Sequence, residues 1–260
     1  MTETIGSIAE FYGAGAPSYA HLSEDRDFAK QATALVAAAM RGAPGGRFLE
    51  LFAGPARHSI ELERGFSTTC IAVDQSPAMR AVATAAGGLA PERYLISRLP
   101  DLPAPSQIGH GFAGASILRY SIGYLSPVAV VTLLTRLAGL MQQGAGLVLE
   151  LHDLALVRDD FRSLDIRDRI VVGPEGRRVR CLWPAGALRW HADDWVVEMD
   201  VLVQTLVGER VVEEHRFVSV ERIYARAEVL ALAELAGDWR SQPMAADAFP
   251  GSTMVLLIRA

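Results

Sequence analysis

Between residues 27 and 151, short apolar segments alternate with stretches of helical periodicity, and this alternation restricts the chain more than any other feature. Phe28, Ala32, Leu35, Val36 and Ala39 recur at helical spacing, and the turn Gly42-Ala43-Pro44-Gly45-Gly46 closes that helix. Residues 48–52 then read as a strand, 58–64 as a helix start, 69–73 as a second strand and 77–86 as a second helix. Residues 93–96 and 113–118 read as two weaker strands, 128–141 as an amphipathic helix and 146–151 as an apolar strand. A helix between two strands returns the chain to the edge it started from, so the expectation is α/β: a mostly parallel, Rossmann-like sheet with helices on both faces.

The periodicity changes after Asp153. From 167 to 219 the segments alternate apolar and polar residues, as in Trp195-Val196-Val197-Glu198-Met199-Asp200-Val201-Leu202-Val203-Gln204, with turn signals at 173–176 and at Gly208. This predicts an antiparallel β meander spanning 154–219, inserted into a core formed by 1–153 and 220–260. A helix over 226–236 and a strand over 253–258 return to the earlier pattern. At 260 residues the core needs no disulfide or metal staple, and Cys70 and Cys181 are too few for either framework. The 25 basic and 30 acidic residues leave a net charge of −5, which argues against a nucleic-acid partner held through its phosphates. No apolar run is long enough to span a bilayer and no signal peptide is evident at the start, so no membrane partner is expected and the location read from the chain is cytoplasmic.

The most informative segment is Phe48-Leu49-Glu50-Leu51-Phe52-Ala53-Gly54-Pro55-Ala56-Arg57-His58: a strand, a tight turn and a helix start. Asp74 stands twenty residues beyond Gly54, at the end of the second strand, where a carboxylate can accept hydrogen bonds from both hydroxyls of a ribose. A dinucleotide needs its pyrophosphate against a Gly-x-Gly-x-x-Gly backbone, but Ala56 holds the second glycine position and Glu50 places negative charge nearby. A ligand carrying an ammonium and a sulfonium is favoured by that same charge. Electrostatics therefore select S-adenosylmethionine over a nicotinamide cofactor. Ala56 is compatible with this turn if its φ stays negative.

These residues resemble the class I S-adenosylmethionine-dependent methyltransferases, and most closely the small-molecule members that include sugar N,N-dimethyltransferases. The likeness runs over nearly the whole chain: Ala9-Glu10-Phe11-Tyr12 and Tyr19 near the start, the Gly54 loop, Asp74-Gln75-Ser76-Pro77-Ala78-Met79, Ser121-Ile122-Gly123-Tyr124-Leu125, and Arg222-Ile223-Tyr224 running to Glu228. Gly13 stands where the family has Asp, Ser97-Arg98 replaces a Gly-Asp that binds the adenine amino group, and Ala113 replaces an acidic residue. The resemblance implies a seven-stranded sheet, S-adenosylmethionine as cofactor and a small-molecule methyl acceptor. It implies cofactor contacts from Tyr12, Tyr19, Glu50, Phe52, Ala53, Gly54, Asp74, Gln75, Met79, Leu99, Leu118 and Ser121. His152, directly after the fifth strand with Asp153 beside it, and Tyr120 are the candidate catalytic groups, with His152 as base. In the family the insertion covers the substrate pocket or builds a homodimer contact, and Trp183, Trp190 and Trp195 either line that pocket or form the meander's core. The altered adenine contacts keep a second chemistry open: cyclisation or rearrangement on the same fold, releasing methylthioadenosine.

Overall fold

The computed structural model describes residues 5–42, 44–85, 87–154, 168–172, 177–186 and 188–260. In chain order the elements are β1 (Ile5–Ser7), α1 (Ile8–Ala14), α2 (Ala16–Leu22), α3 (Phe28–Ala38), β2 (Arg47–Leu51), α4 (Arg57–Phe66), β3 (Thr69–Asp74) and α5 (Pro77–Ala83). There follow β4 (Tyr94–Ile96), α6 (Pro105–Ile108), β5 (Phe112–Ile117), α7 (Pro127–Leu140) and β6 (Met141–His152). The remainder comprises β7 (Arg169–Val172), β8 (Arg178–Leu182), β9 (Arg189–His191), β10 (Val196–Val207), β11 (Arg210–Arg222), α8 (Arg226–Ala236), β12 (Trp239–Gln242) and β13 (Ser252–Arg259).

The chain divides into two compact units at points other than those expected. Met1–Arg26 groups with Ala155–Ile223, and Asp27–Leu154 groups with Tyr224–Ala260. The first 26 residues therefore leave the expected 1–153 core. The physical reason is strand pairing: β1 lies parallel to β11, with Ile5 opposite Arg216, and Phe11 of α1 packs its ring on Phe217 at 5.2 Å. A pairing between segments so distant in sequence leaves no local signature.

The larger unit holds a seven-stranded sheet in the order β12-β13-β6-β5-β2-β3-β4. The pairs from β6 to β4 are all parallel, and β13 runs antiparallel to both of its neighbours. Local chemistry explains the helix starts. The Asp27 carboxylate accepts Lys30 N–H at 2.9 Å at the head of α3. Ser76 and Ser126 accept Met79 N–H and Ala129 N–H at 3.2 and 3.3 Å, each followed by a proline at the first helical position. Leu133, Leu134 and Leu137 of α7 bury against Leu147 and Leu149 of β6, with Val229 of α8 and Leu257 of β13 in the same apolar cluster. The register pairs Gly114 of β5 with Gly146 of β6. This glycine pair admits α3: Gly146 N–H donates to Ala39 O at 2.8 Å, and a Cβ on Gly146 would lie 2.7 Å from Ala39 Cα. The strand β12 was missed by the sequence reading, because Trp239-Arg240-Ser241-Gln242 has three exposed polar positions and no apolar alternation.

The smaller unit is a six-stranded sheet ordered β1-β11-β10-β8-β7, with β9 also on β10. Pairing among β7 to β11 is antiparallel, so the described part of the inserted region is a meander. The β10–β11 hairpin turns at Gly208, whose φ of +61° suits the first position of a two-residue turn. The turn signal at 173–176 lies outside the described residues. Its core is Phe11, Leu22, Val179, Cys181, Val201 and Val203, with Tyr12, Tyr19 and Trp183 packed against it.

Candidate functional site

The seven-stranded sheet brings most of the candidate residues to a single edge. The strands β2, β3, β4, β5 and β6 all end there, and β13 begins there, with Ser252 opposite His152. The strand order also places β2 beside β5, with β3 and β4 continuing to one side and β6 to the other. Loops leaving two such strands turn away from each other, and the divergence opens a crevice at the carboxyl ends.

The loop after β2 forms one wall. Three of its residues take left-handed backbone conformations: Phe52 (φ 51°), Gly54 (φ 50°) and Ala56 (φ 52°). Gly54 adopts this at no steric cost; Ala56 does not, and the condition of a negative φ there is not met. Ala56 is held by its N–H to Ala53 O at 2.8 Å and by Ile60 N–H donating to its carbonyl at 3.0 Å. The peptide groups of Gly54 are tethered on both sides. Gly54 N–H donates to Asp74 Oδ2 at 2.9 Å, and Tyr94 Oη donates to Gly54 O at 2.6 Å. Tyr94 is fully buried, and burial pushes its phenol up from its ordinary value. Asp74 also accepts Ser76 N–H on Oδ1 at 2.9 Å, and its main-chain carbonyl takes Ser97 N–H at 3.0 Å. Burial raises the Asp74 carboxyl above its ordinary value; the amides of Gly54, Ser76 and Gln75 oppose that shift, and the Glu50 charge adds to it. Gln75 is exposed, whereas Met79 at 1% exposure and Leu99 are closed into the interior.

Glu50 lies deeper, 4% exposed, and its carboxylate is engaged by protein groups. Oε2 accepts Ser59 N–H at 2.9 Å and Ser59 Oγ–H at 2.6 Å, while Oε1 faces His58 Nδ1 at 3.0 Å. His58 Nε2 in turn faces Gln31 Oε1 at 2.9 Å, and Gln31 Nε2 donates to Ala248 O at 3.0 Å. Glu50 thus orients the start of α4 and ties it to α3. Its negative charge still lies beneath the loop.

The loop after β5 forms the other wall. Leu118 and Ser121 are buried, Arg119 and Tyr120 take left-handed conformations (φ 55° and 61°), and a short 3-10 turn covers Ser121–Tyr124. Tyr124 packs its ring toward Phe52 at 6.4 Å, so the two walls touch. The two proposed catalytic side chains are neighbours: the Tyr120 ring stacks on the His152 imidazole at 3.9 Å and 16°. Tyr120 Oη lies 3.0 Å from Ser252 Oγ, Ser252 Oγ–H donates to Glu150 Oε1 at 2.7 Å, and Arg119 N–H donates to Glu150 Oε2 at 2.6 Å.

Tyr12 and Tyr19 fall in the smaller unit. Their rings meet edge-on at 4.9 Å, with Phe11 5.9 Å from Tyr19. Trp190 and Trp195 form a second edge-on pair at 5.6 Å, and Trp183 packs on the meander's core. Sequence reasoning missed Tyr94, Glu150 and Ser252. Glu150 carried a usable signal, since it interrupts Leu147-Val148-Leu149 just as Glu50 interrupts Phe48-Leu49, and a carboxylate buried in an apolar strand demands partners. Treating 146–151 as uniformly apolar hid it. Tyr94 and Ser252 carried no local signal, because their partners lie on distant segments.

No protein-family model matches the chain, and no curated protein is detectably similar to it. Among solved structures it superposes on Streptomyces venezuelae DesVI with a TM-score of 0.73 at 16% identity, covering 95% of this chain and 98% of that one. The S-adenosylmethionine-bound amino pentose methyltransferase CalS10 of Micromonospora echinaspora, from calicheamicin biosynthesis, gives 0.69 at 17% identity over the whole of both chains. The sugar N-methyltransferase KedS8 of Streptoalloteichus gives 0.70 at 19% identity, covering 100% of this chain and 95% of the other. The shared feature is the fold.

Proposed function

We propose that this chain, which has the fold of the class I methyltransferases, binds S-adenosylmethionine in the crevice between β2 and β5 and transfers its methyl group to N or O of a small molecule in a biosynthetic pathway. One observation carries the proposal: the Gly54 peptide is held in a left-handed turn between the Asp74 carboxylate and the Tyr94 hydroxyl, at the point where the strand order reverses. A loop anchored in this way is pre-formed for a ligand, and its order is not paid for by binding.

The residues present fit the cofactor. Asp74 accepts the Gly54 and Ser76 amides on separate oxygens, with the Gln75 amide also directed at it, and a carboxylate's four acceptor sites leave capacity for a ribose hydroxyl as well. The backbone of Phe52, Ala53 and Gly54, the exposed Gln75, and the buried Leu99, Leu118 and Ser121 are the groups that would hold the cofactor when it is bound. Met79, buried in the first turn of α5, donates its N–H to Ser76 Oγ just after Asp74. Glu50 acts by holding the loop and by its field, which favours a cation. Tyr12 and Tyr19 belong to the smaller unit, and a cofactor contact from them rests on the motif resemblance alone. S-Adenosylmethionine, when bound, supplies an already electrophilic methyl group, so the protein's task is to align the acceptor and remove its proton. Tyr120 and His152 are the groups for that task. Two of the similar structures are named for sugar or amino pentose methylation, and amino sugars are therefore the first acceptors to try. Among the described residues no helix is long and apolar enough to cross a membrane.

The test is a thermal melt with S-adenosylmethionine, then mass spectrometry of any adenosine compound that co-purifies. A raised melting temperature together with S-adenosylhomocysteine supports methyl transfer, because ligand binding to the native state must stabilise it. Methylthioadenosine instead would assign the alternative chemistry at the aminobutyrate chain. No shift and no bound nucleoside would refute the cofactor assignment.

A further inference from the structure

We infer that a proton taken from the methyl acceptor by Tyr120 passes through Ser252 to the buried Glu150, so that Glu150 is the base on which it comes to rest. The inference builds on the methyl-transfer reading above and concerns two residues, Glu150 and Ser252, that neither the motif resemblance nor the loop after β2 singles out.

Hydrogen-bond counting gives the chain its direction. Glu150 is completely excluded from solvent, with Oε2 taking Arg119 N–H at 2.6 Å and Oε1 taking Ser252 Oγ–H at 2.7 Å. A serine hydroxyl has a single proton. With that proton committed to Glu150, Ser252 Oγ faces Tyr120 Oη at 3.0 Å as an acceptor, and the tyrosine is the donor. The order is therefore Tyr120 O–H to Ser252 O–H to the Glu150 carboxylate. Toward a substrate, Tyr120 Oη has only acceptor character left.

This arrangement resolves a chemical difficulty. A neutral phenol cannot keep an extra proton, so it serves as a base only by releasing its own proton as it gains another. As the acceptor nitrogen or oxygen forms its bond to the methyl carbon and the carbon–sulfur bond breaks, the acceptor's proton moves to Tyr120 Oη. The Tyr120 proton moves to Ser252 Oγ, and the Ser252 proton moves to Glu150 Oε1. All three oxygens keep their bonding, Glu150 becomes a neutral carboxylic acid, and a charge buried in a low-dielectric interior is removed.

The backbone holds the relay in place. Arg119 and Tyr120 are consecutive left-handed residues without glycine's freedom, a conformation that persists only where its surroundings over-determine it. The determinants are visible: Arg119 N–H is pinned by Glu150, and the Tyr120 ring is stacked at 3.9 Å on His152. His152 thereby sets the plane of the phenol. Arg119 and His152 are the other charged or titratable residues with described contacts to this group.

The experiment supplies S-adenosylmethionine with a panel of amino pentoses and amino hexoses, identifies methylated product by mass spectrometry, and measures kcat and KM in water and in deuterium oxide. Ser252→Ala should lower kcat by roughly a hundredfold, the usual scale of acid–base assistance, with KM for S-adenosylmethionine unchanged. Ser252→Thr should restore most of kcat, and the solvent isotope effect of the wild type should return with it. Ser252→Ala leaves the Arg119–Glu150 contact intact, so a carboxylate that merely holds the turn predicts wild-type kcat, and that result overturns the relay. Should Ser252→Ala not fold, the isosteric pair Ser252→Thr and Ser252→Val decides, and equal kcat for the two overturns the relay. If the wild type methylates no acceptor on the panel, the methyl-transfer reading fails first and the relay falls with it.

Discussion

Replacing Glu50 separates what its shape does from what its charge does. Three hydrogen bonds converge on this carboxylate at 2.6 to 3.0 Å, from the Ser59 amide, the Ser59 hydroxyl and His58 Nδ1. Ser59 and His58 are themselves buried, so Glu50→Ala strands three donors away from water. Breaking a buried charged cluster by removing one partner costs about 3–5 kcal/mol. At about 2–4 °C per kcal/mol for a chain of this size, the melting temperature should fall by about 6–20 °C. Glu50→Gln behaves differently. Its Oε1 can still accept both Ser59 donors, and its amide can donate to His58 Nδ1, provided the ring carries its proton on Nε2 toward Gln31. This variant should cost about 1 kcal/mol, on the scale of one net hydrogen bond. It nevertheless loses the charge under the loop, so affinity for S-adenosylmethionine should fall about tenfold while the fold is retained. Thermal melting and titration calorimetry on both variants check this. Equal destabilisation by Ala and Gln would refute the hydrogen-bond account, and unchanged cofactor affinity in both would refute the role of the charge.

Other expectations are independent of that one. Tyr94→Phe deletes the 2.6 Å hydrogen bond to Gly54 O and should cost about 1–2 kcal/mol, with several-fold weaker cofactor binding; unaltered affinity by calorimetry would disconnect this tether from the site. Asp74→Asn should weaken S-adenosylmethionine binding at least about tenfold, because an amide accepts one fewer hydroxyl than a carboxylate. The folded-state Asp74 carboxyl is raised, so the native protein holds this proton to higher pH than the unfolded chain does. Its contribution to stability therefore declines as pH rises from the ordinary carboxylate range through its raised value, while cofactor affinity, which needs the ionised form, improves over the same interval. Calorimetry across mildly acidic pH should show that improvement in the wild type and not in Asp74→Asn. Gly146→Ala forces a methyl group to within 2.7 Å of Ala39 Cα and should cost about 1–3 kcal/mol or more by denaturant unfolding, with a wild-type midpoint contradicting the close approach of α3.

Much of this protein is determined locally. The alternation of strands and helices from 27 to 151, the Ser-Pro helix starts, the meander and the Gly54–Asp74 spacing are short-range patterns of hydrophobicity and turn chemistry. They suffice to specify a mostly parallel sheet with a turn at its carboxyl edge. What tertiary structure decided depends on pairings between distant segments. The pairing of β1 with β11 took the first 26 residues, Tyr12 and Tyr19 among them, out of the expected core. Glu50, read in the sequence as a cofactor contact, has its carboxylate engaged by His58 and Ser59. Ala56 took a left-handed turn that its residue type disfavours, because the surrounding hydrogen bonds outweigh about 1–2 kcal/mol of local strain. Tyr94, Glu150 and Ser252 became part of the site only when strands from three parts of the chain reached one sheet edge. Local propensity says what each segment can be; which buried polar group meets which is settled by the requirement that every one of them find a partner once water is gone.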